Sequence, residues 1–224
     1  MKFYVLTNPA DAGEPAVTDF LDVDPVKRGE APECPSCGET IGLLPWLPPH
    51  RAQLEVWGSQ YGDVAFGPGY ELLISKRLAD LYRREGLSGL AGFHEVEVVR
   101  VIRRGGSKLR TPVPPYCCVT VAYSRAAVDL EASQLILEKP CTCSECRGGF
   151  VVRTTRVVLE EDTWSGEDLF RPRGLRGIIM ASERFTAFFE RNHMNNGLLI
   201  DADHFSFDFY PENGSSGAVE EGDS

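Results

Sequence analysis

Cysteine carries the clearest chemistry in this sequence. Cys34-Pro35-Ser36-Cys37-Gly38 and Cys143-Ser144-Glu145-Cys146-Arg147-Gly148 each place two thiols two residues apart. That gap lets both thiolates face one ion, and a glycine after the second thiol lets the backbone turn its amides toward sulfur. Two such pairs make four thiolates, the closed tetrahedral set of a structural Zn²⁺. Cys34, Cys37, Cys143 and Cys146 are therefore the expected metal ligands, with no position left open for catalysis. The pairs lie roughly 105 residues apart in the chain, against about 15–20 in a compact finger. The ribbon must then be split, with most of the protein inserted between its halves. Metal closure of so long a loop strongly constrains the unfolded chain. Four thiolates on Zn²⁺ leave excess negative charge, which Lys139 and Arg147 could offset. Arg147 stands where a second glycine is usual. Cys141 is the alternative to Cys143, through a rarer Cys-x-Cys spacing. The other reading of the pairs is metal-free, redox-active thiols.

Other signals are weaker. Cys117 and Cys118 are adjacent in an apolar run, so one faces each side of a strand as core. His193 and His204 lie near Asp201 and Asp203, but such histidines are usually surface or satisfied residues. Gly62 to Gly69 is glycine-rich without the Lys-Ser/Thr of a phosphate loop. No Gly-x-Ser-x-Gly and no His-Glu-x-x-His occurs. No catalytic or organic-cofactor residue is assigned, and the chain is expected not to be an enzyme.

The net charge of −10 repels a phosphate backbone and attracts a basic partner. Arg100, Arg103, Arg104, Lys108 and Arg110 around Gly105-Gly106 keep a nucleic-acid-binding or regulatory zinc ribbon as the alternative. No window has about 18 continuous apolar residues, and the N-terminus lacks a signal-peptide pattern. A cytoplasmic, membrane-free protein is expected, in a compartment where paired cysteines bind metal rather than form disulfides.

The elements that must position the thiols read as α+β, with mixed or antiparallel sheets and few helices. The N-terminus from Met1 predicts an edge strand that stops at Pro9. Leu44-Pro45-Trp46-Leu47-Pro48-Pro49 predicts irregular chain. Strands are expected at 93–104, 116–123, 133–138, 150–159 and 204–210, the last burying Phe205, Phe207 and Phe209 on one face. Ser75 and Ser182 read as helix N-caps, with Gly86 as a stop. Leu73 to Tyr82 and Met180 to Phe189 share an apolar lead-in, a serine, an arginine two later and a large apolar triad. Two similar strand–helix–strand units are therefore expected within one folded unit, 1–211. Its zinc-ribbon part spans about 17–57 plus 133–160, with α+β units at about 58–123 and 169–211. Residues 212–224 are expected to be a disordered acidic tail.

The two cysteine motifs, their separation, and the stretch around Trp57, Tyr61-Gly62-Asp63 and Ile74-Ser75-Lys76-Arg77 resemble one family. It is the double-CXXCG family of myxobacterial paralogues, grouped with the immunity proteins of the Sit toxin system. The resemblance spans residues 1–210 and rests chiefly on the cysteine pairs. It implies a non-enzymatic inhibitor that binds and neutralises a cognate, contact-delivered polymorphic toxin, expected to be basic, inside the recipient cell. Cys34, Cys37, Cys143 and Cys146 match the motif cysteines and Gly38 its glycine; Arg147 departs from the pattern. The resemblance assigns no toxin-contacting residue.

Overall fold

The computed structural model describes residues 1–13, 17–68, 71–104, 108–109 and 111–210. The chain is mostly β, with two helices and mixed sheets. The strands are β1 (Phe3–Thr7), β2 (Thr18–Asp22), β3 (Lys27–Arg28), β4 (Trp46–Leu47), β5 (Arg51–Val56), β6 (Val64–Phe66), β7 (Leu72–Ser75), β8 (Leu90–Arg103) and β9 (Tyr116–Val121). After these come β10 (Tyr123–Ala127), β11 (Ile136–Lys139), β12 (Phe150–Thr154), β13 (Leu169–Arg173), β14 (Ile179–Ser182), β15 (Leu198–Asp201) and β16 (Phe207–Asp208). Helix α1 (Lys76–Arg84) follows β7 and α2 (Glu183–Arg191) follows β14.

Six strands close a barrel in the order β2-β5-β8-β9-β7-β6. In β5 the period-two alternation is plain: Ala52, Leu54 and Val56 point inward and are buried, while Arg51, Gln53 and Glu55 are half-buried. Strand β8 is long enough to serve two neighbours. Leu90 to Val96 pairs antiparallel with β9, and Glu97 to Arg103 pairs parallel with β5. A second sheet runs β10-β13-β14-β1-β15, and a third runs β11-β12-β16. One core cluster joins both helices to the barrel and the five-stranded sheet, through Leu78, Tyr82, Phe185 and Phe188. Cys117 belongs to that cluster and Cys118 to the one inside the barrel, so the adjacent thiols do face opposite sides.

Both helices start in the same way. The Ser75 hydroxyl accepts from the Leu78 amide at 3.2 Å and donates to Asp63 Oδ1 at 2.7 Å. The Ser182 hydroxyl accepts from the Phe185 amide at 3.2 Å and donates to Asp168 Oδ1 at 3.0 Å. Each serine thus satisfies an orphan amide of the first turn while its own proton is anchored on a buried aspartate. The loop after each helix then crosses to the other unit. The Ser88 amide, after α1, donates to Asp168 Oδ2 at 2.9 Å, and the Asn195 amide, after α2, donates to Asp63 Oδ2 at 3.3 Å.

Several expectations need correction. β1 is not an edge strand: it lies between β14 and β15, and its partners come from the far end of the chain. The proline-rich stretch contributes β4, because Trp46 and Leu47 lie between the prolines and can pair with β3. The strand expected over 204–210 is a short 3-10 turn at Ala202–His204 followed by the two-residue β16. Its aromatic alternation does not mark a buried face, since Phe209 is 54% exposed. Residues 211–224, including the expected acidic tail, lie outside the described residues. Among the described residues no helix is long and apolar enough to cross a membrane.

Candidate metal centre

The four motif cysteines meet. Two hairpin-like loops bring them together, one between β3 and β4 and one between β11 and β12. In the first loop the Gly38 amide donates to the Cys34 carbonyl at 2.9 Å, and Gly38 has φ +73°. In the second the Arg147 amide donates to the Cys143 carbonyl at 2.9 Å, and Arg147 has φ +53°. The two turns share one geometry, so arginine here occupies the left-handed conformation that glycine adopts most readily. Arg147 is held there by its own side chain, which donates to the Val128 carbonyl at 2.8 Å and pairs with Glu160. The turn therefore survives the departure from glycine.

The sulfurs of Cys34 and Cys143 are 3.9 Å apart, and those of Cys37 and Cys146 are 3.7 Å apart. All four sulfurs lie within 4.8 Å of one another. Four sulfurs at about 2.3 Å from a tetrahedral Zn²⁺ would stand about 3.8 Å apart. The Cys34–Cys143 and Cys37–Cys146 separations match that value, so the donor set fits such an ion. Cys34 and Cys146 are buried, Cys143 is half-buried and Cys37 is exposed. The Gly148 amide points at Cys146 Sγ, 3.3 Å away, the kind of contact that offsets thiolate charge. Backbone amides of Cys146 and Glu145 pull the Cys143 thiol down to about 7, and burial pushes Cys146 up to about 12. Cys141 stands aside, with its thiol donating to the Cys143 carbonyl at 3.3 Å.

The remaining candidates do not assemble. Among the described residues, the four cysteines are the one group of three or more His, Cys, Asp or Glu side chains whose ligand atoms converge. His193 ends the turn after α2 with φ +49°, and His204 sits in the 3-10 turn. In the basic stretch Arg104 is paired with Glu55 at 2.5 Å, and Arg110 lies outside the described residues. Sequence reasoning gave no role to Asp63 or Asp168, each of which joins its own serine and arginine to a loop far away in the chain. It also missed a cleft that lies against the second cysteine loop. No protein-family model matches the chain, and no curated protein matches it.

Proposed function

We propose that this protein is a toxin-neutralising immunity protein of the double-CXXCG type, non-enzymatic, on a scaffold held by one structural Zn²⁺. The convergence of Cys34, Cys37, Cys143 and Cys146 within 4.8 Å carries the reading, because those residues carry the family resemblance. A closed four-thiolate set stabilises and offers no vacancy for substrate. Zinc would supply the tie between the two loops and thereby between the barrel side and the three-stranded sheet. The two serine-capped helices fit a scaffold of two similar strand–helix–strand units. A rigid, preorganised surface and a net charge of −10 suit tight binding of a basic toxin, with steering at long range.

The test is a binding measurement with the toxin encoded beside this gene. A stable one-to-one complex, with rescue of growth when both proteins are made together, is the expected result. Absence of both complex and rescue, with folded, metal-loaded protein, would sink the proposal.

A further inference from the structure

A concave cleft of about 910 Å³ lies between the five-stranded sheet and the second cysteine loop. Ile200 of the sheet lines it together with Ile41 of the first cysteine loop and Phe207 of β16. Leu43, Phe150 and Phe209 also line it, and they are among the exposed large apolar side chains, at 36%, 44% and 54%. The volume lies within the roughly 300–1,000 Å³ of small-molecule sites.

Charge within the cleft is uneven. Asp208 is paired with Arg153 at 2.6 Å, and Arg147 is paired with Glu160. Arg176 is different. It is exposed, donates to the Thr40 carbonyl, and has no carboxylate partner among the described residues. The buried Arg171 braces the turn that carries it, donating to the Arg176 carbonyl at 3.2 Å. The cleft therefore offers largely hydrocarbon walls, a carboxylate at Asp11 and, at Arg176, an exposed cation with no carboxylate partner among the described residues. A peptide would bring a polar amide at every residue into those walls, at a cost unless each found a partner. An acyl chain brings none.

We propose that this cleft binds a long-chain carboxylate, with its apolar chain along Ile200 and Phe207 and its head on Arg176. Because Ile41 and Phe150 flank the cysteine loops, binding depends on those loops being tied.

The experiment uses the full metal-loaded chain and displacement of anilinonaphthalene sulfonate, itself an apolar anion, by palmitate. Palmitate is expected to displace the probe, and hexadecanol, which lacks the charge, about tenfold less well. Arg176→Glu is expected to weaken palmitate about tenfold while leaving hexadecanol unchanged. Ile41→Trp, which fills the cleft, is expected to abolish both, with the thermal transition serving as the folding control. Phosphatidylglycerol vesicles form a second arm, which separates free carboxylates from lipid in a bilayer. No displacement, displacement untouched by either variant, equal binding of hexadecanol and palmitate, or binding to vesicles alone would each overturn the proposal. So would loss of toxin binding in both variants without any palmitate binding, since the cleft would then be a protein-docking groove.

Discussion

Arg77 and Arg184 hold one another's helices. Arg77 grips Asp63 through Nε at 3.2 Å and Nη2 at 2.5 Å, and also donates to the carbonyls of Asn192 and His193 that end α2. Arg184 grips Asp168 through Nη1 at 3.0 Å and also donates to the carbonyls of Glu85 and Gly86 that end α1. Each guanidinium thus neutralises an aspartate beside its own helix and caps the negative end of the other one.

Removing either aspartate should therefore hurt both helices. Asp168 is 2% exposed, and Asp168→Ala would leave Ser182, Ser88 and Arg184 without their acceptor. A loss of about 2–4 kcal/mol is expected in urea unfolding, from the Ser182 hydroxyl and the Ser88 amide left without an acceptor, while the Arg184 guanidinium is 56% exposed and can turn to water. Asp63→Ala should act in the same direction. The double variant should lose less than the sum, because the two grips share loops. Additivity within about 0.5 kcal/mol would show them independent.

The loop after α1 is fixed by one glycine. Gly89 has φ +103°, and a Cβ there would sit 1.7 Å from the Leu169 carbonyl oxygen. Gly89→Ala must push backbone apart, so a loss of more than about 4 kcal/mol, or no folded protein, is expected. Gly38→Ala is the contrast. Nothing lies within 4 Å of its added Cβ, so only the left-handed backbone is penalised, by about 1–2 kcal/mol. A circular-dichroism melt of both variants orders the two effects.

Thiol chemistry should sort the seven cysteines into classes. With metal bound, Cys141 should be the one readily alkylated thiol at neutral pH. Chelation should release Cys34, Cys37, Cys143 and Cys146 together with one zinc per chain. Cys117 and Cys118 should stay slow until the chain unfolds, since burial raises both thiols, Cys118 to about 12. Seven reactive thiols before chelation, and no metal by elemental analysis, would remove the zinc reading.

High pH should destabilise the fold. Burial raises Cys118 to about 12 from 9.0, and Tyr123 to about 12 from 10.0. A raised folded value means that the neutral form is favoured in the native state. Its contribution is complete below the unfolded value and disappears as pH climbs through the folded one. The melting temperature should accordingly fall between about pH 9 and pH 12. Cys118→Ala should make that fall shallower, although the cavity it leaves lowers stability at every pH.

Local signals were the legible ones. Cys-x-x-Cys spacing and the serine caps lie within a few residues, and each is reproduced in the fold. Strand β8 was legible as a strand but not as one that changes neighbours midway, because that depends on where β5 and β9 end. β1 read as an edge since neither β14 nor β15 is near it in sequence. Asp63 had no role to read in the sequence, because its hydrogen-bonding contact with Asn195 spans 132 positions. Phe209 followed a buried-face pattern, yet it borders a cleft, which alternation alone cannot distinguish from a core.

The crossing of the loops also sets a timetable. Cys34 must wait for Cys143, which is 109 residues later, and Asp63 must wait for Asn195. During synthesis the first helix can form its turns, but its cysteine loop waits for Cys143 and Cys146 and its aspartate for Asn195. Folding speed should then be governed by the closure of long loops rather than by helix formation. A chain cut short before Asn195 would fail at its beginning, with the first unit left open to proteases although every residue of it had been made.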